Sequence, residues 1–183
     1  MKNRTHDIVL AGILTALAIL ITYSPIKLNL GFFTLTLAAH VPTMLAMFVN
    51  PWVAIMSIIG SCIGFFTAIP APNNFLVVAR AALHIIFALV GIYMLKKNRN
   101  IFLIIFVTAI LHSVAEGVAV YFLTPILLSS NDTALWSLAW VAFSGTFVHH
   151  LIDSAITYPI LCGLIRAKLI SKQYFLNKNL GGN

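Results

Sequence analysis

The sequence predicts an all-α integral membrane protein: six transmembrane helices forming one domain, with both termini in the cytoplasm. Two observations fix the class. Of the 183 residues, 61% are hydrophobic and only 8% are charged, against roughly 25% charged in a soluble domain, and the mean hydropathy is +1.01. Apolar runs of about 20 residues, the length of a bilayer-crossing helix, then recur along the chain, at 8–23, 32–49, 51–69, 75–95, 101–123 and 134–165. They leave no room for a soluble enzyme domain.

The first run follows Lys2 and Arg4 and stops at Ser24-Pro25. No small-x-small cleavage site precedes Pro25, so it reads as a retained helix rather than a signal peptide. Ala11, Gly12, Thr15 and Ala16 form small-xxx-small pairs, which let another backbone approach closely. That backbone belongs either to a neighbouring span or to an outside partner. The second run is interrupted by His40-Val41-Pro42. Pro42 cannot donate to the carbonyl four residues back, so a kink is expected, with freed backbone groups that must be satisfied inside the protein. Asn50-Pro51 turns into the third run, where Gly60 to Gly64 is a close-packing motif.

The fourth run carries Arg80 and His84 and closes on Lys96, Lys97 and Arg99. The fifth carries His112 and Glu116. Residues 124–133, with Pro125 and Asn131-Asp132, read as the longest connection. The sixth run opens with Trp136 and Trp140 as interfacial anchors. It then carries His149, His150 and Asp153 and is expected to bend near Pro159. Cys62 and Cys162 lie inside spans and read as small apolar thiols.

Charge sets the orientation. Nine of the eleven basic residues (Lys2, Arg4, Lys96, Lys97, Arg99, Arg166, Lys168, Lys172 and Lys178) fall on the side of the termini, with Lys27 alone opposite and Arg80 inside the membrane. By the positive-inside rule that side is cytoplasmic. The net charge of +7 therefore reports topology and gives no sign of a nucleic-acid partner.

Ionisable residues inside spans are costly and face a bundle interior or a cavity. Counted along the helices, Arg80 lies roughly 8 Å and Glu116 roughly 10 Å below the outer surface, so the two share a level. His40, His84, His112 and His149 fall nearer the midplane, and Asp153 somewhat deeper. The inner parts of the first five spans hold no ionisable residue, which points to an outward-facing pocket rather than a conducting path.

Arg80 presents a planar fork suited to a carboxylate, and the histidines can serve ring nitrogens and carbonyls. Either Arg80 binds a ligand or Glu116 holds it in a buried ion pair. The i, i+4 spacing aligns His149 with Asp153, which would fix its tautomer, and turns His150 toward lipid or a neighbour. His112 and Glu116 supply one pair of metal-ligand spacing but no His-Glu-x-x-His. Arg80 argues against a cation, so no metal is expected, with a divalent-metal carrier as an alternative. Ser144 shares one helix with the histidines and lacks the converging elements of a serine nucleophile.

The stretches Phe33 to Pro42, Ala46 to Pro51, Gly60 to Phe66 and Arg80-Ala-Ala-Leu-His84, with the small-residue face of the first helix, resemble the substrate-binding S-component of energy-coupling factor (ECF) vitamin transporters, and most closely the niacin branch. The candidate substrate-binding residues are Arg80, His84, His112, Glu116, His149, Asp153 and His40, and the resemblance implies a pocket formed by the outer parts of the fourth to sixth spans with residues 25–31 as a lid. It implies that Ala11, Gly12, Thr15 and Ala16 dock onto a membrane-embedded coupling subunit served by two cytoplasmic ATPases. The chain has no G-x-x-x-x-G-K-[ST] motif, so ATP belongs to those partners and no cofactor is expected here. The rival is a self-sufficient carrier coupled to protons through His and Asp.

Overall fold

The computed structural model describes residues 4–30, 33–128 and 134–170. Of the expected features, Lys2, Gly31, Asn131-Asp132, Lys172 and Lys178 lie outside these residues. The chain forms α1 (Arg4–Thr22), β1 (Lys27–Asn29), β2 (Thr34–Thr36), α2 (Val41–Met47), α3 (Pro51–Ala68), α4 (Asn73–Ala82), α5 (His84–Lys96), α6 (Ile101–Leu127) and α7 (Leu135–Arg166). Five helical stretches are long and apolar enough to cross a membrane, with α4 and α5 together making one of them. The chain is a multi-pass, mostly helical membrane protein.

The second expected span is where the fold departs from the sequence reading. Residues 33–49 do not form one kinked helix. Thr34–Thr36 pairs antiparallel with Lys27–Asn29, in the register Lys27 with Thr36 and Asn29 with Thr34. A turn through Ala38, at φ 67°, then leads into the seven-residue α2, with Pro42 in its first turn. Proline is tolerated there because the first N–H groups of a helix have no intrahelical acceptor. At 1.5 Å per residue α2 covers roughly 10 Å and does not cross a bilayer by itself.

The chain nonetheless returns across the bundle between α1 and α3, because these two helices run parallel. Asn50 donates to Asp7 at their starts (2.8 Å) and Tyr23 to Thr67 at their ends (2.7 Å). Along the seam a Cβ added at Gly60 would sit 2.6 Å from the Thr15 carbonyl oxygen, and one at Gly64 would sit 2.8 Å from the Thr22 methyl. Both glycines are therefore closed to side chains. We expect Gly60→Ala to force the helices apart and to cost about 1–3 kcal/mol, as overpacking does, read as a lowered unfolding midpoint in detergent.

The small-residue face of α1 is split by this seam. Ala11 is buried and Thr15 packs on Gly60, whereas Gly12 and Ala16 are exposed, with nothing within 4 Å of a Cβ added at Gly12. Successive helical positions differ by about 100°, so the two small pairs address different neighbours.

Two further boundaries differ from expectation. The fourth span is broken at Leu83, whose N–H bonds the Arg80 carbonyl at 3.0 Å in a tight turn, so His84 starts a new helix. The fifth runs on through Pro125 to Leu127, four residues into the expected connection. α7 continues past Pro159 to Arg166. His6 meets the Leu169 carbonyl at 3.0 Å, so both ends of the described chain lie at one end of the bundle. One apolar core cluster there joins Ala11, Leu95, Ile104, Ile165 and Ile170.

Candidate functional site

α4, α5, α6, α7 and the hairpin converge on one buried polar cluster. Every intramembrane residue singled out from the sequence is in it: Arg80, His84, His112, Glu116, His149, Asp153 and His40 are each at most 5% exposed. The cluster is organised by two carboxylates.

Glu116, on α6, pairs with Arg80 on α4. The guanidinium Nε donates to Oε2 at 2.9 Å and Nη2 bonds the same oxygen, the charge-assisted geometry that makes arginine–carboxylate pairs strong. Thr146 on α7 donates to Oε2 at 3.0 Å. The other oxygen faces His112 Nε2 at 3.3 Å, one helical turn away, and His84 Nε2 at 3.6 Å. Such crowding of donors is the remedy for a buried charge. The equal depth counted along the helices is thus realised as direct contact.

Asp153, on α7, does more than orient His149. Its carboxylate accepts the backbone N–H groups of Ala38 (2.8 Å) and His40 (3.0 Å) and the His40 Nδ1–H (2.8 Å). It also lies 3.2 Å from His149 Nε2, which donates to the Thr36 carbonyl at 3.0 Å. Non-helical backbone at membrane depth survives only where the protein satisfies its polar groups. Here α7 supplies that satisfaction, and the broken second crossing depends on it.

His150 does not face lipid. It is 1% exposed, with Nε2 3.1 Å from Thr108 Oγ1 and Nδ1 3.1 Å from His112 Nδ1. α7 packs against α6 as well as α2 and β2, so neighbouring faces of the helix are both covered at this level.

A cavity of about 20 Å³ opens among Arg80, Glu116, His40, His84, His149 and Thr146, room for about one water. Phe33 closes it. The Arg80 guanidinium lies 4.8 Å from that ring's centroid, and Gly145 gives the ring space, since a Cβ there would meet it at 2.9 Å. The part of the hairpin that lines the cavity is Phe33, Thr34 and Thr36, while β1, in the expected lid, is exposed.

Sequence reasoning missed Thr146 and Phe33, and it left open the side of His150 that proves to meet α6. Thr146 stands three residues before His149 and seven before Asp153, and that spacing alone would have placed it on the same face.

No protein-family model matches the chain, and no solved structure matches it. A curated relative does. Over 161 residues the chain is 35% identical to the niacin transporter NiaX of Lactococcus lactis subsp. cremoris, covering 83% of this chain and 71% of the relative. The chain belongs to the NiaX transporter family. The resemblance read from Phe33 to His84 is therefore borne out, and the chain is related to a transporter rather than to an enzyme.

Proposed function

We propose that this chain is the substrate-binding S-component of an ATP-driven ECF importer and that its substrate is niacin, taken as nicotinate. The observation that carries the reading is the Arg80–Glu116 pair under Phe33. A guanidinium with one aromatic face already against it suits a small aromatic acid: the carboxylate pairs with Arg80, a histidine meets the ring nitrogen, and an aromatic side chain covers the ring. A cavity of about 20 Å³ is too small for nicotinate, so binding displaces Phe33 with the hairpin that bears it.

Nine basic residues at the ends assigned to the cytoplasm orient the pocket outward. Gly12 and Ala16, the outward pair on α1, are the part of the small-residue face open to a coupling subunit, since Ala11 is buried and Thr15 is engaged by α3. Two cytoplasmic ATPases then supply the energy.

Equilibrium dialysis of the purified protein against nicotinate and nicotinamide tests the substrate. Nicotinate is expected to bind at least about 10-fold more tightly, because a hydrogen bond to a charged group contributes about 1.5–3 kcal/mol. Binding of neither compound would sink the reading. Uptake driven by a proton gradient in liposomes holding this chain alone would instead favour the self-sufficient carrier.

A further inference from the structure

We infer that His40, His84 and His112 form a transition-metal site, in which three buried imidazoles, two of them lining the cavity, hold one divalent cation of the zinc or cobalt type. The inference starts from the hydrogen positions. Each ring turns one nitrogen toward a carboxylate: His40 Nδ1 toward Asp153 at 2.8 Å, His112 Nε2 toward Glu116 at 3.3 Å and His84 Nε2 toward Glu116 at 3.6 Å. A carboxylate only accepts, so His40 Nδ1 and His112 Nε2 carry the hydrogens and their opposite nitrogens carry lone pairs, and the metal site requires the same tautomer of His84, whose Nε2 is the nitrogen nearer the carboxylate.

Those lone pairs belong to His40 Nε2, His84 Nδ1 and His112 Nδ1. His84 Nδ1 is buried without a hydrogen-bond partner, a costly condition that needs a cause. One ligand atom from each of the three residues lies within 4.8 Å of the other two. The rings stand 4.5–4.8 Å apart and 68–85° from one another, as imidazoles do when they converge on a tetrahedral ion. Carboxylates behind metal-binding histidines set the tautomer and ring orientation and raise basicity. All three rings have one. His112 Nδ1 also meets His150 Nδ1 at 3.1 Å, a contact it exchanges for the metal.

The other cluster of suitable donors, His40, His149 and Asp153, is a poorer site. Its carboxylate is already occupied by two backbone N–H groups and two rings. The sequence-based objection, that Arg80 repels a cation, is met by the neighbours. Arg80 is paired with Glu116, and Asp153 adds a second carboxylate, so the cluster holds a single net negative charge with its histidines neutral. A divalent cation reverses this to a single positive charge, the complement of a monocarboxylate such as nicotinate.

The experiment uses full-length protein in detergent, with any affinity tag removed, passed over chelating resin and titrated with cobalt(II). We expect one cobalt per chain, retained on desalting, with the visible absorption of a tetrahedral nitrogen-ligated site. His84→Ala should weaken binding by more than the roughly 10- to 100-fold that loss of an outer partner costs, while Cys162→Ser leaves it unchanged. Absence of saturable cobalt binding in the wild-type protein, or equal binding in His84→Ala, overturns the site. Nicotinate dialysis in chelator runs beside it. Cobalt binding without nicotinate binding supports the metal site and counts against the niacin reading alone, whereas tight nicotinate binding in a protein that takes up no cobalt overturns the metal site alone.

Discussion

Arg80→Met is expected to lose nicotinate binding by about 30-fold to several thousand-fold, the 2–5 kcal/mol that truncating one member of a buried charge pair costs. The same substitution strands the Glu116 carboxylate, which is 4% exposed, so the protein should also lose about 3–5 kcal/mol of stability. These two losses have different origins, and a second substitution separates them. In Arg80→Met with Glu116→Gln neither charge remains, and thermal stability in detergent should return most of the way to wild type. Nicotinate binding should not return. A double variant that binds nicotinate normally would mean that Arg80 is held by Glu116 as part of the scaffold and never serves the ligand.

That pair was also the most legible part of the site. A helix advances by a constant rise, so depth can be counted in residues, and the count put Arg80 and Glu116 at one level before any contact was known. The seven polar positions could be found for a related reason: inside a membrane each is expensive, and expensive residues converge. The break at Leu83 was not legible, since the local sequence Ala81-Ala82-Leu83-His84 contains neither glycine nor proline. The split of the α1 face was hidden too, because Gly12 and Thr15 look equivalent as small residues and only the packing of Gly60 on Thr15 tells them apart. For His150 the sequence left lipid or a neighbour open, and the neighbour is α6, because α6 and α2 cover α7 from two sides.

The second crossing was misread because its determinant lies far away in the chain. Residues 32–49 are mostly apolar, with no ionisable side chain except His40, and a short apolar run does not distinguish strand from buried helix by period alone. What makes an irregular path possible here is an acceptor 115 residues away from Ala38 and 113 from His40.

That dependence yields the other large effect. Asp153→Ala removes the acceptor of the Ala38 N–H, the His40 N–H and the His40 Nδ1–H, and one neighbour of His149 Nε2. Asp153 is 0% and His40 4% exposed, while Ala38 is half-buried, so the two His40 donors are the ones left away from water. Each donor left buried without a partner costs about 1–3 kcal/mol, so the two on His40 alone approach the cost of a large core truncation, with the half-buried Ala38 N–H adding to it. The expected result is a sharply lowered unfolding midpoint, with hydrogen exchange at residues 38–40 rising ahead of exchange in α6 and α7. Asp153→Asn should fall between the two, because its amide keeps one accepting oxygen and turns a donor toward groups that are themselves donors. If exchange at residues 38–40 in Asp153→Ala matches wild type, the turn is held by its apolar neighbours, and the carboxylate serves only the histidines.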